Sequence, residues 1–284
     1  MRAAGITAVI AALALALPAG AAAKCSGWRL VSSDTFRAHD ALLRSQGVTT
    51  DGAGWFFSWQ GGLQRTLDNY VPLAAATLPP ELALGGDNHI GDIDYYNGLI
   101  YAPVEDGDAY QSPHIALYDA RTLLYTGVSY PLDAGIHEAG VPWVAVDARH
   151  AEAYTAEWDM PHDRLNVFDT QMRFKRFLAL HYPDSLGTAF HLSRIQGAKV
   201  DGRTMYATRD DAEKSVWSID LRSGEVKKLF ALKPAVSAEL EGLAIRRTAD
   251  GALLHVLIVM SNQLPDDATE IHVSFNHYAP CPRD

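Results

Sequence analysis

A unit of about 50 residues recurs five times along this chain, and a chain built from such units has few folds open to it. Each copy opens with a short strand at Gly or Pro, turns at Gly, Asn or Asp, and runs into a second strand rich in aromatic and aliphatic residues. The openings are QGVTTDGAGWFFSW from Gln46, IGDIDYYNGLIYAPVE from Ile90, VPWVAVDARHAEAYTAEW from Val141, QGAKVDGRTMYATRD from Gln196 and EGLAIRRTADGALLHVLIVMSN from Glu241. The residues that mark them, Gly47, Gly91, Pro142, Gly197 and Gly242, stand 44, 51, 55 and 45 residues apart, one four-stranded blade per step. Third strands are predicted at His114–Asp119 (HIALYD), Arg164–Asp169 (RLNVFD) and Ser215–Asp220 (SVWSID), followed by fourth strands at 123–128, 174–180 and 225–232. The last unit has a third strand at 270–275 and no fourth, which residues 28–36 can supply from the other end of the chain. The expected fold is therefore all-β, a β-propeller of five four-stranded blades closed by its N-terminal strand. A six-bladed count and a β-sandwich are the alternatives.

Residues 1–23 combine Arg2, an apolar run over 6–17, a break at Pro18 and Gly20, and the small residues Ala21 and Ala23. That is the layout of a cleavable secretory signal peptide, and the run is too short for a membrane anchor. The expected organisation is a signal at 1–23 and one propeller domain over 24–284, in a secreted or periplasmic protein. In an oxidising compartment Cys25 and Cys281 read as one disulfide tying the chain ends, with two separate thiols as the alternative. A formal net charge of −10 with no basic cluster excludes phosphate backbones as partners.

In a propeller the loops entering the inner strands share one face with the loops joining second and third strands. The first set carries Asp87, Asn88, His89, His137, Glu138, His191, Glu239 and Glu241; the second includes Gln60, Glu105, Asp106, Asp108, Glu157, Asp210, Asp211 and Asn262. Glu105, Glu157, Arg209 and Asn262 fall at equivalent second-strand ends, so they are expected to ring the channel mouth and bind a ligand, with Trp158 as a stacking platform.

Asp92 and Asp94 break the repeat. Asp92 aligns with Val48, Trp143, Ala198 and Leu243, and Asp94 with Thr50, Ala145, Val200 and Ile245. Two carboxylates at mostly apolar inner-strand positions need compensation. A bound cation such as Ca²⁺, a salt bridge to Lys199, or hydrogen bonds to neighbouring histidines and backbone would each provide it.

The string GDIDYYNGLIY resembles the metal-bearing strand of olfactomedin-type domains, secreted five-bladed propellers with a terminal disulfide and a channel Ca²⁺. The resemblance implies Asp94 as a metal ligand with Asp92 beside it. More loosely, Glu241 followed by Gly242 resembles the inner-strand E-G of lactonase and strictosidine-synthase-like propellers, where the Glu belongs to the metal site. The chain has no G-x-S-x-G, no G-x-x-x-x-G-K-[ST] and no HExxH motif.

Together these features predict an exported propeller that binds a small molecule or protein segment at the channel mouth, with a central Ca²⁺. The alternative is a metal-dependent esterase, lactonase or phosphoesterase on the same face, with Asp92, Asp94 or Glu241 holding the cation and His89, His137 or His191 as base.

Overall fold

A computed structural model describes residues 27–110, 112–159, 163–187, 189–234, 236–249, 251–263 and 269–282. Residues 1–23, where a signal peptide is expected, and Cys25 lie outside the described residues. Five antiparallel sheets form the five blades of a β-propeller. Strand β1 (Trp28–Arg37) leads through a short helix (Ala38–Leu42) into blade 1, which comprises β2 (Val48–Thr50), β3 (Gly54–Trp59), β4 (Gly62–Leu67) and β5 (Pro72–Thr77). Blade 2 comprises β6 (His89–Ile90), β7 (Asp94–Tyr96), β8 (Leu99–Glu105), β9 (His114–Asp119) and β10 (Tyr125–Pro131). Blade 3 runs β11 (Ala145–Asp147), β12 (Glu152–Thr155), β13 (Arg164–Asp169) and β14 (Phe174–Ala179). Blade 4 runs β15 (Ile195–Asp201), β16 (Thr204–Arg209), β17 (Ser215–Asp220) and β18 (Val226–Ala231).

Blade 5 is built from β19 (Ser237–Thr248), β20 (Gly251–Gln263) and β21 (Thr269–Pro280), and its outer strand is β1. The chain ends thus close the ring through the antiparallel β1/β21 ladder, from Trp28 opposite Pro280 to Arg37 opposite His272. Side chains reinforce it. The Asp34 carboxylate on β1 accepts from the Tyr70 hydroxyl of blade 1 at 2.6 Å, and its Oδ2 lies 2.9 Å from His277 Nε2. β1 covers the edge of β21 that would otherwise stand unpaired.

An apolar cluster fills each of the five gaps between neighbouring blades. Phe36, Trp55, Phe57 and Phe275 join blades 5 and 1; Trp143, Tyr154, Met205 and Trp217 join blades 3 and 4. Trp55, Trp143 and Trp217 therefore serve packing between blades rather than a ligand.

The repeat markers meet at the axis. A Cβ on Gly47 would lie 2.5 Å from Asp92 Cα, one on Gly197 2.6 Å from Gly242 Cα, and one on Gly242 2.7 Å from Gly47 Cα. A Cβ on Gly91 would collide with the Pro142 carbonyl. Gly or Pro recurs at this level because inner strands touch backbone to backbone there, which closes the channel.

Blade 2 departs from its sisters in having a broken inner strand, split into β6 and β7 that both pair with β8. Pro103 on β8 accepts the Gly91 N–H at 3.2 Å but has no N–H to return. The chain at Asp92 turns to blade 3 instead, donating its N–H to Pro142 O at 2.8 Å and accepting from Val144 N–H at 3.2 Å.

Candidate functional site: a polar pocket above a sealed channel

Asp92 touches all four other blades. Its backbone bonds to blade 3, its Oδ1 accepts from Val48 N–H of blade 1 at 3.0 Å, and its Oδ2 accepts from Ala198 N–H at 3.2 Å and Lys199 Nζ at 2.5 Å, both of blade 4. Gly242 of blade 5 packs against its carboxyl group. Three of the four residues aligned with it by sequence, Val48, Trp143 and Ala198, are thus its partners around the axis. Asp94 binds Thr49 Oγ1 at 3.0 Å and Val146 N–H at 2.8 Å, each one residue away from the aligned Thr50 and Ala145.

Burial pushes the Asp92 carboxyl up to about 7, with Lys199 and the Val48 N–H opposing. Asp94 is raised for the same reason. Among the described residues, every hydrogen-bond partner of these four oxygens is an N–H, a hydroxyl or an ammonium. A hard cation needs oxygen ligands instead, so this donor set does not fit Ca²⁺ and does fit the ion pair with Lys199. No group of three or more His, Cys, Asp or Glu side chains suited to a metal occurs among the described residues.

Above this plug, on the face of the loops that enter the inner strands, lies a pocket of about 270 Å³. All five blades line it: Gln46 and Gln60 from blade 1; Asn88, His89, Glu105, Gly107, Asp108 and Tyr110 from blade 2; Pro142 and Trp158 from blade 3; Gln196 from blade 4; Glu239 from blade 5. Glu105 is buried, and its Oε2 accepts from Val141 N–H of the next blade while its Oε1 lies 3.4 Å from His89 Nδ1. His89 Nε2 lies 2.9 Å from Gln46 Oε1, while its buried Nδ1 makes no hydrogen bond among the described residues. Desolvation first, then the neighbouring Asp210, raises the Glu239 carboxyl, which Gln196 Nε2 approaches at 3.5 Å. The Arg194 guanidinium covers the Trp158 ring at 5.0 Å and pairs with Asp210 at 2.8 Å.

Of the residues expected to bind a ligand, Glu105 and Trp158 line this pocket. Glu157 accepts from Ala139 N–H at 3.4 Å, and Arg209 is held by Ser193 O and Asp211 over the Phe190 ring; both brace loops instead. Asn262 lies on β20, with its side chain outside the described residues. Among the candidate bases only His89 lines the pocket. His137 is fully buried in blade 3, with Nε2 2.8 Å from Thr155 Oγ1 and its ring stacked on Phe168, and burial holds its pKa down at about 4. His191 packs edge-on against Tyr182. Glu241 is buried below the mouth, and its backbone carbonyl accepts from Thr208 Oγ1 at 2.6 Å; burial, then Glu239, Asp210 and Asp92, raises its side-chain pKa well above the usual carboxylate value.

Sequence reasoning missed Gln46, Gln196 and Tyr110. The first two had a signal, because two of the five openings read QG and place a Gln one residue before the axial glycine.

The buried groups set opposite pH slopes. Glu241 has a folded-state pKa above its unfolded value of about 4.3, so its contribution to stability is complete below about pH 4 and is lost as pH rises. His137 and His255, held at about 4 and about 3, act the other way, and stability is lost as pH falls below about 6.5. Glu241→Gln should therefore melt no higher than wild type at pH 4 and clearly higher at pH 8. A melting-temperature difference that stays constant between these pH values, read by calorimetry, would contradict the assignment.

No protein-family model and no curated protein matches the chain. Solved structures do match. The neuraminidase-like protein of subtype N11 from A/flat-faced bat/Peru/033/2010 (H18N11) aligns at TM-score 0.45 and 12% identity over 81% of this chain and 71% of that one. The Neurospora crassa Pan2 WD40 domain aligns at 0.43 and 10% over 91% and 96%, and U3-55K at 0.42 and 11% over 77% of this chain. This chain spans 62% of the U3-55K chain. At these identities and TM-scores the likeness carries no argument about this chain. The protein is a five-bladed β-propeller whose channel is plugged by an ion pair and capped by a polar pocket.

Proposed function

We propose that the protein is a binding module whose channel-mouth pocket takes a cationic group, an amine or guanidinium carried on a small molecule or a protein segment. One observation carries this reading: Glu105, Asp108 and Glu239 line the pocket, and among the described residues no Lys or Arg does. Amides from Gln46, Gln60, Asn88 and Gln196 add acceptors around the rim, and Tyr110 adds aromatic surface that attracts cations, while Trp158 already carries the Arg194 guanidinium. The volume of about 270 Å³ suits one such group rather than a large ligand. The neighbouring basic side chains Arg194, Lys214 and Arg209 are paired with Asp210 or Asp211, and Lys214 and Arg194 offset the Glu239 charge only in part, since its pKa still stands above the usual carboxylate value.

Export and a terminal disulfide belong to the same proposal. The Cys281 N–H donates to Gly27 O at 2.8 Å, which brings Cys281 to a residue two positions from Cys25.

Calorimetric titration with agmatine tests the ligand. Saturable binding at low ionic strength is expected, weakening as salt is added. Glu239→Gln should weaken it about tenfold, the loss of one charge-assisted contact. No heat with agmatine, or equal affinity in wild type and Glu239→Gln, would refute the reading.

A further inference from the structure

On the opposite face, where the turns joining first to second and third to fourth strands gather, the charge reverses. A cleft of about 440 Å³ between blades 3 and 4 is lined by Arg149, Arg176, Arg203 and Arg222, with Tyr154 and Leu221 among its walls. Four guanidinium groups in one concavity stand out in a chain of net charge −10.

Their pairing is incomplete. Arg176 bonds Glu152 at 3.1 Å, but Glu152 is shared with Lys175 at 2.5 Å and with the Tyr154 hydroxyl at 2.9 Å. Arg203 bonds Asp220 at 2.8 Å. The remaining acid of the cleft, Asp147, caps the turn through Arg149 N–H at 2.8 Å and lies 2.6 Å from His150 Nδ1. The guanidinium groups of Arg149 and Arg222 make no hydrogen bond or ion pair among the described residues, although both project from turns that border the cleft.

We infer that this cleft is a second binding site, for a small organic anion whose acid group is held by Arg149 and Arg222 and whose apolar body rests against Tyr154 and Leu221. The planar fork of each guanidinium matches the oxygens of a carboxylate, sulfate or phosphate in bidentate fashion. Two unpaired like charges sharing one concavity repel each other, and an anion between them removes that repulsion. The aromatic and aliphatic wall selects an acid with an apolar body over a bare inorganic ion.

Titration with phenyl phosphate, benzenesulfonate, benzoate and inorganic phosphate tests the inference and separates the three acid types. At least one aryl acid should bind saturably and more tightly than inorganic phosphate. Arg149→Gln/Arg222→Gln should weaken that binding at least about tenfold while the melting curve stays close to wild type, because neither side chain holds the fold together. Glu239→Gln, on the other face, should leave it unchanged. The inference falls if no aryl acid binds at millimolar concentration, if the double variant binds as well as wild type, or if inorganic phosphate binds as tightly as the best aryl acid.

Discussion

Asp92→Asn should destabilise the protein by about 3–5 kcal/mol, the usual cost of removing one partner of a buried ion pair. The amide keeps the size of the side chain and an acceptor for Val48 N–H, but it turns an NH2 toward Ala198 N–H and Lys199 Nζ, so the loss combines the missing charge with a missing acceptor. Lys199 Nζ, which is buried and bonds Asp92 Oδ2 at 2.5 Å, would be left with Ala198 O at 3.0 Å as its acceptor. Lys199→Met should cost a comparable amount by stranding the carboxylate. Asp92→Asn/Lys199→Met should cost less than the sum of the two, because the double change strands neither member of this pair, although Asp94 still loses the attraction of Lys199. Urea unfolding of the four proteins measures this, and an Asp92→Asn midpoint equal to wild type would remove Asp92 from its place at the centre of the ring.

Gly47→Ala should be nearly as damaging. The added methyl would sit 2.5 Å from Asp92 Cα, 2.6 Å from Ser58 Oγ and 2.8 Å from Ile93 N. Ser58 Oγ is itself tied to Gly91 O at 2.7 Å, and the other two contacts are backbone, so no rotamer change relieves the clash. Overpacking a rigid site costs about 1–3 kcal/mol or more, and the displaced strand carries the acceptor that binds Val48 and Lys199. A drop in melting temperature of several degrees with unchanged far-UV circular dichroism below the transition is expected; a wild-type melting curve would mean that the inner strands do not meet as described.

The fold was legible because its strongest signals are local. Gly or Pro at regular steps marks a level where backbones touch, and HIALYD, RLNVFD and SVWSID span the third strands residue for residue. The closing strand was legible from a missing fourth strand in the last unit. The strand break in blade 2 was harder to see, because Pro103 interrupts a ladder only once its partner is known. Asp92 and Asp94 stood out as charges, yet their role depended on Lys199, which lies 107 residues away in sequence.

The pocket was only partly legible. Glu105 and Trp158 line it because their strand ends face the axis, whereas Glu157 and Arg209, at similar sequence positions, turn aside to hold loops. Sequence position gives the end of a strand but not the direction of a long polar side chain, which its hydrogen-bond partners decide. His137 shows the same limit: a histidine on a loop became a buried neutral member of blade 3 once Thr155 and Phe168 closed around it.

The reading of this propeller as a sealed ring with an acidic, ligand-taking mouth is tested most directly by a crystal structure of the protein soaked in agmatine. Density for the guanidinium against Glu239 and Glu105, with Lys199 still on Asp92 below it, is the result the account predicts. Agmatine elsewhere on the surface, or a metal ion between Asp92 and Asp94 with Lys199 turned away, would contradict it.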